Sequence, residues 1–336
     1  MPDRLLALAV WFFLATTPAI VADAPPAAPP TKWLGLIGEY DATGTTLYVL
    51  EDGGRLVAQR RGSSSYPLTE VTADSYTFAD VGPFARQAVA FQRDPSGKAT
   101  AAVVGGATFL RRALDGEDGR TFRIKPVRPV EEIRKGVVGL APPLETGKKP
   151  PELVDLLDAV PGVKLDVRYA TANNFLGTPL YTSARALMQR PAAEALTKVQ
   201  AGLKGEGYGL LIHDAYRPWR VTKLFWEATP PSQHTFVADP AKGSRHNRGC
   251  AVDLTLCDLA TGKPVEMVGG YDEFSDRSYP DYPGGTTRQR WHRDRLRRAM
   301  EAQGFAVNEA EWWHFDFRAW RDYPILDVPF EALPPR

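Results

Sequence analysis

Sulfur and imidazole are scarce in this chain: 336 residues carry two cysteines, four methionines and five histidines. The cysteines, Cys250 and Cys257, are too few for a disulfide framework. Seven residues of mostly extended chain would also put their Cα atoms on the order of 20 Å apart, against the roughly 4.4 to 6.8 Å of a bridge. Two buried free thiols are therefore expected. No long apolar run is present either; the longest, Leu5 to Ala15, has about eleven residues, where a bilayer span needs about twenty. A net charge of +1 gives no argument for a nucleic-acid partner. What remains, 43% hydrophobic and 24% charged residues, is the composition of an ordinary soluble protein, with length enough for about two domains.

The chain opens like a targeting segment. Arg4 and the amino terminus are followed by the short apolar run and then by Ala22-Asp23-Ala24, the small-x-small form that signal peptidase cuts. Residues 1–24 are read as a signal peptide, so the mature protein is expected to be exported, periplasmic or secreted, with no membrane insertion once the signal is removed. Residues 25–33 form a proline-rich spacer. Over residues 34–140, short runs such as TTLYVL, LVAQR, VAFQRD and ATAAVV alternate with turns such as EDGGR and PSGK, which predicts an all-β meander of antiparallel strands. No convergent polar set is found in it. Residues 141–151 (APPLETGKKPP) are a linker, and residues 152–336 a second domain of α+β type. Its helix from Thr286 or Thr287 to about Gln303 carries six arginines, read as a solvated face.

The chemistry concentrates in SRHNRGCAVDLTLCD, Ser244 to Asp258, and in EWWHFDF, Glu311 to Phe317. Asn247-Arg248-Gly249 reads as a turn and Ala251 to Leu256 as a buried strand, so His246 and Asp253 can reach one point near the strand's start. His314 follows Glu311 by three. Two imidazoles and a carboxylate suffice for a catalytic zinc with an open position, and the second carboxylate is left to handle protons. The expected metal ligands are thus His246, Asp253 and His314, with one Zn²⁺ per chain. Glu311 is expected to take a proton from the attacking water and pass it to the leaving amine. Residues three apart on a regular strand face opposite ways, so Glu311 and His314 can share a pocket only if the chain bends between them.

These residues resemble a family. HNRGCAVD and EWWH are similar to the paired motifs of the zinc D-alanyl-D-alanine dipeptidases, relatives of the D,D-dipeptidases of vancomycin resistance. DVRYATANNFLGTPLY, HDAYRP and FVADPAKGS resemble further stretches of that family, over roughly residues 150 to 330. The resemblance implies a hedgehog/D,D-peptidase-like α+β zinc peptidase domain with an antiparallel sheet. The first part is weakly similar to lipocalin-like β domains appended to secreted hydrolases.

The resemblance gives Arg217 the task of stabilising the transition state, which suits its rigid fork of donors. Pairing of Arg217 to Asp214 is the competing reading. Asp272 would meet the ammonium of the dipeptide, and Ser244 would hydrogen-bond substrate. Three functions stay open at this point. One is hydrolysis of free D-Ala-D-Ala to two D-alanines. Another is a zinc D,D-carboxypeptidase or endopeptidase acting on peptidoglycan peptides. The third is a non-catalytic zinc-containing wall-binding module, against which the spare carboxylate of Glu311 argues.

Overall fold

The structure, a computed structural model, describes residues 24–114 and 121–333. The segment expected to direct export therefore lies outside the described residues except for Ala24. Eight strands follow one another: β1 (Gly38–Ala42), β2 (Thr45–Asp52), β3 (Arg55–Arg60), β4 (Tyr66–Thr72), β5 (Ser75–Phe78), β6 (Ala88–Arg93), β7 (Ala99–Val104) and β8 (Ala107–Arg111). Each pairs antiparallel with the next, and Tyr40 opposite Arg111 joins β8 back to β1, so the meander closes into a barrel. The two-residue turn at Gly53-Gly54, φ +56° and +79°, is one that glycine alone adopts without cost, and it sets the β2–β3 register.

The barrel interior is filled by Leu47, Val49, Leu56, Tyr76, Phe91 and Phe109 among others. β2 is buried on both faces. Leu47 and Val49 point into the barrel, while Tyr48 and Leu50 alternate outward and join the core of the second domain. Within the expected spacer, Thr31–Leu34 form one helical turn, α1, and Trp33 packs against the barrel core.

The all-β region is shorter than residues 34–140. Strands end at Arg111, and Val130–Val137 form a helix, α2, with Ile133 and Val137 one turn apart on its buried side. This stretch lies on the second domain: Ile124 N donates to Phe175 O at 3.0 Å and Val127 N to Ala228 O at 2.9 Å. The linker is anchored as well. Glu145 makes a two-pronged pair with buried Arg248, at 2.8 and 3.0 Å, and accepts from Ile325 N.

The second domain begins with β9 (Leu153–Asp155), α3 (Leu156–Ala159), β10 (Lys164–Leu165) and β11 (Leu187–Gln189), with β9 and β11 paired as a small ribbon. It continues with α4 (Arg190–Lys204), β12 (Tyr208–Asp214), α5 (Trp219–Ala228), β13 (Ala251–Asp258), α6 (Thr287–Glu301), β14 (Phe305–Asn308) and β15 (Glu311–Phe317). The main sheet runs β10-β12-β13-β15-β14, antiparallel except for the β10–β12 edge. α4 starts with Pro191 at its first turn, and α6 with a capping box between Thr286 and Gln289. The arginines of α6 are not simply solvated: Arg293 donates to Tyr282 O, Arg290 to Glu51 O, and Arg295 pairs with Glu206.

Candidate active site

β13 and β15 are neighbours in the sheet, with Asp253 directly opposite His314. His246 comes from the single 3-10 turn His246–Arg248 that leads into β13, closed by Gly249 at φ +64°. That turn is held by its own polar side chains. Ser244 N donates to Asn247 Oδ1 at 2.7 Å, and His246 N to Ser244 Oγ at 3.2 Å. Ser244 is thus buried, lines the cavity, and braces the turn that presents His246.

Three atoms meet as a result. His246 Nε2 lies 3.2 Å from Asp253 Oδ1 and 3.1 Å from His314 Nδ1, and His314 Nδ1 lies 3.0 Å from Asp253 Oδ1. Both rings are tied on their far sides: His246 Nδ1 to Ala215 O at 2.6 Å, His314 Nε2 to Asp316 Oδ1 at 2.9 Å. A carbonyl and a carboxylate accept only, so these outer nitrogens carry the ring protons, and the inner nitrogens present lone pairs. With both rings neutral, two lone pairs and a carboxylate oxygen face one point, a set of donors that a cation would fit. Their mutual spacing also suits it, because ligands about 2.0 to 2.1 Å from a tetrahedral ion sit about 3.3 Å apart. Among the described residues this is the group of three His/Cys/Asp/Glu found able to hold a metal.

Glu311 Oε2 is 3.5 Å from His314 Nδ1, in the same cavity. The bend needed for this comes at the β14–β15 hairpin. Val307 opposes Phe315 but Asn308 opposes Glu311, so the register slips beside residues 312–314. Burial pushes the Glu311 carboxyl up to about 7, the repulsion from Asp253 adding to it.

Arg217 is nearly buried where β12 turns into α5. Its Nε and Nη2 reach Asp214 Oδ2 at 2.9 and 2.8 Å, and Nη2 is 3.6 Å from Asp253. The pairing with Asp214 weighed above therefore exists, and it holds the guanidinium against the cavity, stacked over Phe225 at 4.7 Å. Asp272 is buried at the same cavity with φ +56°, and both its oxygens accept from Tyr169 OH, at 3.0 and 2.8 Å. Burial and the nearby Asp253 hold its carboxyl well above the usual range.

Sequence reasoning had not singled out Tyr169, Tyr271 or Asp316. Tyr271 OH donates to Asp253 Oδ2 at 3.1 Å, and its ring stacks on His213 at 4.6 Å. The cavity, which Tyr169 lines, is about 200 Å³ and is walled by Phe175, Phe225, Phe236 and Phe274. Cys250 and Cys257 are buried and free, and burial pushes the Cys250 thiol up to about 12, which leaves it inert.

A profile of the family described as D-Ala-D-Ala dipeptidase matches residues 149–328, the stretch that contains this whole constellation. The chain belongs to that family. The D-alanyl-D-alanine dipeptidase of Escherichia coli (strain K12) is 37% identical over 182 residues, which are 54% of this chain and 93% of that protein. The D-alanyl-D-alanine dipeptidases of Enterococcus faecium and Enterococcus faecalis (strain ATCC 700802 / V583) are 34% and 33% identical, each across 50% of this chain and 95% and 89% of their own lengths. As a member of a dipeptidase family the chain is a hydrolase. The barrel lies outside the residues that the family profile matches.

Proposed function

We propose that this protein is a zinc D-alanyl-D-alanine dipeptidase that splits the free dipeptide into two D-alanines. The observation that carries the reading is the convergence of His246 Nε2, His314 Nδ1 and Asp253 Oδ1, with the outer nitrogen of each ring facing an acceptor. These three residues would hold one Zn²⁺, which supplies a Lewis acid for the scissile carbonyl and acidifies a water.

The chain's own groups supply the rest. Glu311 takes the proton of the attacking water as its oxygen bonds to the carbonyl carbon. It then delivers that proton to the departing nitrogen as the C–N bond breaks. Its burial supports this, because a carboxyl near 7 both accepts and returns a proton readily. Arg217, aimed by Asp214, donates to the carbonyl oxygen as negative charge builds there. Asp272 receives the dipeptide's ammonium, which offsets the cost of a buried carboxylate. Ser244 serves substrate binding through the turn it braces and its place on the cavity wall.

A cavity of about 200 Å³ suits a dipeptide better than a muropeptide. The decisive experiment assays purified protein for metal content and for D-alanine release, with D-Ala-D-Ala beside a muropeptide ending in D-Ala-D-Ala. Zinc near one per chain and cleavage of the free dipeptide are expected; cleavage of only the longer peptide would replace this reading with a D,D-carboxypeptidase. The character of residues 1–24 supports export to a periplasm or the medium, checked by whether the exported protein has lost that mass.

A further inference from the structure

The 28-residue segment between β13 and α6, residues 259–286, has a single 3-10 turn at Asp276–Ser278 as its regular structure, yet it supplies two groups to the cavity wall and a third, Tyr271, that holds a carboxylate of that wall. Tyr271 holds Asp253, Asp272 is the buried carboxylate, and Phe274 stacks on Phe236 at 5.0 Å. An irregular stretch must take its shape from what it touches. Part of that comes from within, where Glu273 accepts from Gly270 N, Ser275 and Arg277.

Part comes from the peptidase domain, where Arg293 of α6 donates to Tyr282 O and Tyr169 to Asp272, and part from the barrel. Tyr282 OH donates to Glu39 Oε1 of β1 at 2.8 Å, and the Tyr282 ring lies edge-on to Tyr48 of β2. Arg61 and Arg112 reach the carboxylate of Asp276 at 3.1 and 3.5 Å, and Arg112 also donates to Glu39. At the segment's end Glu51 N donates to Gly285 O at 3.1 Å, and the Glu51 carboxylate accepts from Thr287 N at 2.8 Å. Glu39 and Glu51 are only 1% and 3% exposed. An isolated barrel does not need two buried carboxylates on its strands, and burying them is costly unless partners meet them. Here the barrel's own Arg112 and Gly54 N supply part of the pairing, and the rest comes from across the contact, Tyr282 of the cavity segment meeting Glu39 and Thr287, the first residue of α6, meeting Glu51.

We propose that the barrel is a brace for the substrate pocket: through Glu39, Glu51, Arg61 and Arg112 it holds residues 269–286 so that Asp272 and Phe274 stay in place. The four are positioning residues and touch no reacting group. The role assigned to Asp272 rests on the dipeptidase reading above; the bracing itself does not. The barrel is therefore a working part of the binding site, in contrast to a separate wall-recognition module.

Two variants of the full-length protein test this, Tyr282→Phe and Arg112→Ala, with Arg86→Ala, an exposed barrel arginine paired to Asp80, as the control. Metal content, kcat and KM for D-Ala-D-Ala, and amide exchange across residues 269–286 are measured together. Loss of the brace is expected to raise KM about tenfold while kcat stays within about twofold, because ground-state positioning is lost and the hydrolytic groups are untouched. Exchange should accelerate in 269–286 and not in β1–β8, with Arg86→Ala unchanged throughout. The proposal is overturned if exchange in that segment does not change. It is equally overturned if exchange accelerates with KM within about twofold of the parent, or if kcat and metal content fall together. Should the parent protein fail to cleave the dipeptide, the dipeptidase reading falls, and the exchange measurement alone decides whether the barrel holds the segment.

Discussion

Glu311 and Arg217 differ in what their loss should do. Replacing Glu311 by Gln keeps the shape and removes the proton acceptor, so activity should fall by about 10²- to 10⁴-fold with metal content unchanged, as read by turnover and metal analysis on the same sample. Arg217→Lys replaces a fork held at two nitrogens with a single ammonium, and a loss of about 10²- to 10³-fold in kcat is expected. Retained kcat in either variant would remove that residue from the chemistry. The grouping of His246, Asp253 and His314 was legible in the sequence because metal sites draw on histidine, cysteine and carboxylates, and only five histidines were available. Tyr169 was not legible. Its partner Asp272 is 103 positions away, and a tyrosine in an aromatic-rich stretch carries no mark of the hydrogen bond it makes.

Among the elements, the turn His246–Arg248 and the linker that grips it carry the most consequence. Gly249 has φ +64°, and a Cβ there would lie 2.4 Å from Leu153 Cδ2. Gly249→Ala should cost about 2 kcal/mol from the left-handed backbone and the contact, measured in denaturant melts, and should weaken metal retention through His246. Glu145→Ala strips buried Arg248 of its carboxylate and should cost about 3 kcal/mol. The pH dependence has a definite sign. Burial alone would raise the Glu145 pKa, but Arg248 and Ile325 N–H outweigh it and leave it lowered. A lowered folded pKa means stability that is present above the unfolded value of about 4.5 and lost as pH falls through the folded one. The gap between parent and Glu145→Ala should therefore close as pH falls below the ordinary glutamate value and through the lowered folded one; a gap that persists beyond that fall would show that the ion pair is not its source.

Element types were readable wherever periodicity was strong, as in α4, α6 and the barrel strands. α2 was missed because VEEIRKGV has only Ile133 and Val137 as a buried stripe. The linker sequence, rich in proline and lysine, likewise gave no hint that Glu145 reaches across to residue 248.

At the scale of the whole molecule, the chain divides by sequence and coheres by packing. Tyr48, Leu50 and Val57 of the barrel share the core of the peptidase domain, and Glu39 and Glu51 are buried against it. Calorimetry of the full-length protein should show one cooperative unfolding transition. Two separated transitions would mean that the shared surface contributes little. Chelation should lower that transition temperature, since a metal that binds only the folded state stabilises it by mass action. The domain contact was illegible beforehand, because the β2 run TTLYVL looks the same whether its outer face meets water or another domain.

The two thiols carry one more consequence. Both sit at or beside a single interior strand, out of reach of each other and of oxidants. The molecule thus keeps no covalent record of the redox conditions under which it was assembled: material made in a reducing cell and material made in an oxidising one should be interchangeable, and reducing agents should leave it untouched.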